Sequence, residues 1–208
     1  MSCVTQPGAI IPPGRRTQWV AMKDLLQRLQ RALPRVEHWM DELHRSHVHH
    51  SVSASETGFR RLATCFPESL LKSTRSASID QIPFPPVSEY GLPEFQAMAE
   101  MPMAGITFGD MYFVQPTHSS EGIHFHELVH VVQWSTLGVR PFLLTYAVGI
   151  AQCGYVQSPL EAIAYDLQSK FEQQSVLKSV PQVVAQHAIE ARNAVAAVFA
   201  TKGLTMGA

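Results

Sequence analysis

The run IHFHELVHVVQW, Ile123 to Trp134, restricts this chain more than any other part of it. Ile123, Phe125, Leu128, Val129, Val131, Val132 and Trp134 are spread so that no side of a helix is left polar. A helix that is apolar all round belongs in the middle of a domain. Yet this one carries His126, Glu127 and His130. Imidazole and carboxylate groups in such a place are costly unless something satisfies them.

Their spacing says what could. On a helix, residues four apart differ by about 40° in azimuth and about 6 Å in rise. His126 and His130 therefore leave one face a turn apart and can converge on a single metal ion. Glu127 leaves about 100° away from His126. That suits a base beside a metal better than a ligand, taking a proton from a water that the ion activates. The competing reading is two core histidines bonded to backbone carbonyls, with Glu127 on the surface. His124 lies two residues before His126 and projects to the opposite side of the helix. It is expected at the surface or supporting the site, not as a ligand.

Two histidines do not complete a catalytic zinc site, which takes three protein ligands and a water. The pattern HExxHxxGxxH is ruled out, because Gln133 and Thr136 stand where it needs glycine and histidine. Downstream of His130 only Glu161, Glu172 and Glu190 offer a carboxylate of the right kind. Glu161, in SPLEAIAYD, opens an apolar helix pattern. It could be the third ligand, or it could form a capping box with Ser158. Glu172, in SKFEQQ, reads as solvated.

The remaining sequence sets the frame. The chain has 208 residues, 46% of them hydrophobic and 16% charged, enough for one folded domain with a real core. A net charge of −1 gives no reason to expect nucleic acid or an anionic membrane as partner. Cys3, Cys65 and Cys153 are odd in number and widely spaced, which argues against a disulfide framework and for a reducing compartment. With no signal-peptide pattern and no apolar run long enough to span a bilayer, a cytoplasmic location is expected. Residues 1–15, with three prolines, read as a flexible lead-in. Residues 16–52 read as a helical arm: Trp19, Met22, Leu25, Leu26, Leu29 and Leu33 form one stripe, and Pro34 either splits it into a helix pair or kinks it. Such stripes usually face a core, although a metal-free interaction protein could use this one and that of 181–202 as binding surfaces. The His44–His50 cluster HRSHVHH is more simply a solvated helix end than a metal site. A short helix is expected near 67–72, an irregular connection over 76–95, and a strand over 105–116, bent at Gly109. Helices are expected over 121–137, 140–153, 158–175 and 181–202.

HELVHVVQW followed some thirty residues later by PLEAIAY resembles the gluzincin type of HExxH zinc metallopeptidase. It is most similar to short bacterial domains with an HEL(T/V)HVVQ helix and a PxExEA helix. The resemblance covers about Gly105 to Gln168. It implies an α+β, mainly helical, zincin-like domain over 16–208, with its metal-site core over 105–170 and a short sheet beside the active-site helix. It implies one zinc ion held by His126, His130 and Glu161, with Glu127 as general base and a peptide or protein as substrate. In such proteins the strand before the helix, here Ile106 to Val114, lines the cleft and pairs with extended peptide. The pattern departs at Ile163, where a second glutamate is expected, and at Tyr165, where an aspartate often orients a histidine ligand. Tyr165 shares a face with Glu161 and is preferred over Tyr155, Tyr146 and His118 as the donor to a developing oxyanion. A zinc-binding domain without catalysis is the alternative. A solvent-reachable cleft beside the strand would favour the enzyme, and a site roofed by the N-terminal helices would favour the alternative.

Overall fold

The computed structural model describes residues 13–206, with side chains from residue 21 onward. Most of the lead-in, residues 1–12, lies outside that range. In chain order the elements are α1 (Pro13–His47), β1 (Val52–Ser53), α2 (Leu62–Cys65), α3 (Glu68–Ser73), β2 (Arg75–Ser78), α4 (Gln96–Ala99), β3 (Gly105–Phe108), β4 (Met111–Val114), α5 (Glu121–Leu137), α6 (Val139–Cys153), α7 (Pro159–Glu172) and α8 (Val180–Thr201). The architecture is α+β and mainly helical, with one small sheet.

α1 is one continuous helix, not a pair. It starts at Pro13, a residue whose fixed φ and missing N–H suit the first helical turn. Pro34 sits inside it on an exposed face. A mid-helix proline costs about 3 kcal/mol. Burial of Leu26, Leu29, Leu33, Val36 and Met40 along one stripe, before and after it, outweighs that cost. Leu26, Leu29 and Leu33 pack into the same cluster as Leu144 and Val148 of α6, Val195 and Phe199 of α8, Val87, Phe95, and Met98 of α4, while Val36 and Met40 join Trp134 of α5, Leu160 of α7 and Ala188 of α8. The apolar faces of α1 and α8 are therefore core, not free binding surfaces.

The sheet runs β1-β2-β4-β3. β2 and β4 are parallel, with Arg75 opposite Met111, and β3 and β4 form a hairpin pairing Phe108 with Met111. The expected single bent strand is thus two strands. Gly109 makes the reversal at φ +66°, in the first turn position, where a two-residue hairpin loop favours glycine. β2 extends into the connection expected to be irregular, and β1 falls where no strand was expected. β3 is an edge strand and lies against α5.

α5 is the axis of the domain. Ser120 caps its start by accepting from the Ile123 N–H, and Gly138 at φ +76° ends it. Every residue from His124 to Trp134 is buried, with α6, α7, α8, β3 and β4 around it. Among the described residues no helix is long and apolar enough to cross a membrane. Cys65 is a free thiol.

If α1 is part of the core, Leu26→Ala, at a fully buried position, should lower unfolding stability by about 2–5 kcal/mol in a denaturant titration. A loss under about 1 kcal/mol would mean that α1 is only loosely attached.

Candidate metal centre

α5 presents His126 and His130 a turn apart, and α7 crosses it so that Glu161, in the first turn of α7, faces both rings. The His126 Nε2 and His130 Nε2 atoms are 3.0 Å apart. Glu161 Oε2 is 3.4 Å from the first and Glu161 Oε1 is 3.5 Å from the second. Ligands about 2.1 Å from a tetrahedral ion stand about 3.4 Å apart. The two carboxylate distances are close to that figure, each to a different Glu161 oxygen, and the Nε2–Nε2 distance is somewhat shorter. Among the described residues this is the one group of three or more histidine, cysteine or acidic side chains close enough to share an ion.

The protonation pattern of the rings is fixed from behind. Gln168 donates through Nε2 to Glu172 Oε1 at 2.9 Å, and Gln133 donates through Nε2 to the Leu160 carbonyl at 2.9 Å. Both partners can only accept, so each amide turns its oxygen toward an imidazole. Gln168 Oε1 lies 3.0 Å from His126 Nδ1, and Gln133 Oε1 lies 2.8 Å from His130 Nδ1. Each Nδ1 therefore carries the proton, and each Nε2 directs a lone pair at the other. Glu161 adds a third acceptor. Tyr146 donates to its Oε1 at 2.5 Å, but its Oε2 is buried without a hydrogen-bond partner. Three converging acceptors without a donor are stable only around a cation or a shared proton. Burial lowers His130, but the Glu161 charge outweighs it and raises the ring to about 9, so without a cation the three acceptors share a proton at this ring. Burial alone would raise Glu161, yet the two histidines hold it below the usual carboxylate range. Two imidazoles, one carboxylate and no thiolate form a donor set that fits zinc with a fourth position left open.

Glu127 lies beside this group but outside it. It is buried, not on the surface, and the histidines do not bond to backbone carbonyls, so the core-histidine reading fails. Thr107 of β3 donates to Glu127 Oε2 at 2.7 Å. The other oxygen points at Gly105, where a Cβ would stand 2.6 Å from Oε1 and 3.0 Å from the Phe113 carbonyl. Glycine at the start of β3 thus makes the room in which Glu127 sits. Burial raises the Glu127 carboxyl above its usual range, which moves it toward the range of a useful base.

The remaining expected residues sort as follows. Ser158 makes no side-chain cap at α7 and its hydroxyl is unbonded, so Glu161 is not held by a capping box. Tyr165 lays its ring 4.7 Å from that of His126 and is partly exposed, with Tyr155 beside it. Tyr146 is engaged with Glu161, and His118 lies exposed in a short turn. His124 faces away from the centre, as expected, but is buried. It bonds Tyr112 at 2.8 Å and Ser119 at 2.9 Å, and burial lowers it to about 4. In the His44–His50 cluster, His47 bonds the Leu43 carbonyl and packs on Phe113.

Three supporting residues were not singled out from sequence. Gln133 and Gln168 orient the rings, and exposed Glu172, expected to be merely solvated, anchors Gln168. Gly122 makes space for that glutamate, since a Cβ there would stand 2.1 Å from Glu172 Oε1. Gln133 and Gln168 lie three residues after His130 and seven after Glu161, spacings that place each on the face of its neighbour. Asp166, next to the position where an aspartate was sought, pairs with Lys170 on the surface instead.

No family model, no curated protein and no solved structure matches this chain.

If the glutamines fix the ligand rings, Gln168→Leu and Gln133→Leu should each weaken zinc binding about 10–100-fold in competition with a chromophoric chelator. Unchanged affinity in Gln168→Leu, the partly exposed of the two sites, would show that the amide orients nothing.

Proposed function

We propose that this chain is a zinc-dependent hydrolase, a metallopeptidase of the gluzincin kind that its HELVHVVQW and PLEAIAY segments resemble. The observation that carries this reading is the convergence of the His126 Nε2, His130 Nε2 and Glu161 Oε2 acceptors, with a separate buried carboxylate beside them. Bound there, zinc supplies Lewis acidity toward a water and a carbonyl oxygen.

The chain's own groups supply the rest. Glu127 accepts the proton of the attacking water and returns it to the leaving nitrogen. Thr107 holds one Glu127 oxygen, so the free one does the transfer. The Gln133 and Gln168 amides keep both ligand rings in one tautomer. Tyr146 stabilises charge on Glu161. Tyr165, against His126, is the proposed donor to the developing oxyanion, with Tyr155 as its neighbour. Among the described residues β3 has no strand beyond it, and it offers its outer edge to an extended peptide.

The alternative is a domain that holds zinc without turnover. One observation favours it: His126, Glu127, His130 and Glu161 are all under about a tenth exposed, and Leu29, Leu33 and Val36 of α1 help to enclose the space in front of them.

Glu127→Gln separates the two. On the hydrolase reading the variant keeps its zinc, while cleavage of a mixed peptide library, followed by mass spectrometry, falls about 10²–10⁴-fold. Equal cleavage by wild type and variant would remove Glu127 from the mechanism. No cleavage by zinc-loaded wild type would favour the alternative.

A further inference from the structure

In front of the metal centre lies a cavity of about 130 Å³. It is bounded by α1 through Leu29 and Leu33, by the connecting segment through Phe84 and Met98, and by α6 through Leu144 and Ile150. His126, Glu127, His130 and Glu161 close its inner end. The space is that of about ten water molecules. Most of its wall belongs to α1, α6 and residues 84–103, and the α1 and 84–103 parts lie outside the Gly105–Gln168 stretch.

The composition of the wall is selective. Among the described residues its carboxylates are Glu127 and Glu161, both at the centre, its other titratable side chains are His126, His130, Tyr146 and Tyr155, and it has no lysine, arginine or aspartate. A terminal carboxylate, phosphate or ammonium lodged against the apolar wall formed by α1 and residues 84–103 would have no ionic partner there and lose its hydration, at a cost of several kcal/mol. Waters in an apolar chamber make few hydrogen bonds, and an apolar group that displaces them gains affinity. The cavity is continuous with the centre, so its occupant is part of whatever reacts there.

We propose that the cavity is the specificity pocket of the centre and takes a bulky, uncharged apolar group flanking the reacting carbonyl. The substrate is therefore an amide bearing such a group, not the charged end of a peptide. This rests on the metal-hydrolase reading. The apolar group could be a large aliphatic side chain within a peptide or the acyl chain of an N-acyl amide.

The test uses a series of straight-chain alkyl hydroxamates, from two to ten carbons, titrated by calorimetry into zinc-loaded and metal-free protein. Affinity should rise about fourfold per methylene, the equivalent of ~0.8 kcal/mol for each buried CH₂. A rise that stops near four or five carbons indicates a side-chain-sized pocket, and one that continues to ten indicates an acyl chain. The increment should persist, at weaker absolute affinity, without metal. It should disappear in Ala32→Trp or Ala147→Trp, which fill the cavity from α1 and from α6, so one folded variant suffices. A hydroxamate with a terminal carboxylate should bind at least tenfold more weakly than its uncharged counterpart of equal length. Affinity independent of chain length in the wild type, or an increment retained in a filled variant, overturns the pocket. A chain-length increment with no difference between zinc-loaded and metal-free protein leaves the pocket standing and removes the metal reading.

Discussion

The structure depends on a burial that is unfavourable as it stands. Two imidazole lone pairs and a carboxylate oxygen meet in the middle of the domain, on helices that are otherwise apolar. The core cannot simply expel them. His126 and His130 share α5 with Phe125, Leu128 and Val129, which are fully buried and fix how that helix is turned. Glu161 shares α7 with Leu160 and Ala164, buried to the same degree. The packing that stabilises the fold thus forces the three acceptors together. A cation among them turns a penalty of several kcal/mol into an attraction.

The supporting shell shows how the rest is arranged. Gln133 and Gln168 each spend their donor on an acceptor-only partner and so present an oxygen to an imidazole. That leaves no freedom of tautomer. Tyr146 satisfies one oxygen of Glu161, and Thr107 one of Glu127, leaving a single oxygen of each unbonded. Two glycines serve the same end. Gly105 admits Glu127 and Gly122 admits Glu172, so close approaches on β3 and α5 are written as missing side chains.

Much of this was legible in the sequence, for identifiable reasons. The helix limits of α5 to α8 follow from Ser120, Gly138, Gly154 and the prolines at 159 and 181, which are strong local signals. His126, Glu127 and His130 are legible because helix periodicity fixes their mutual geometry. Glu161 is reached by elimination among few carboxylates. By contrast, β2 reads Arg-Ser-Ala-Ser and carries no hydrophobic alternation, because its place in the sheet is set by β4 beside it. The continuity of α1 through Pro34 is likewise a tertiary effect. The roles of Gln168 and Glu172 depend on how α7 crosses α5, which no local pattern encodes. The cavity is least legible of all, since its walls come from segments as far apart in the chain as Leu29 and Glu161.

Whether the converging acceptors hold zinc is open to one direct measurement: X-ray absorption at the zinc edge on protein purified without chelator and without added metal. The expected result is one zinc per chain, surrounded by nitrogen and oxygen at about 2.0–2.2 Å with a two-imidazole signature. Protein that is folded yet nearly free of zinc, or zinc with sulfur neighbours at about 2.3 Å, would contradict it.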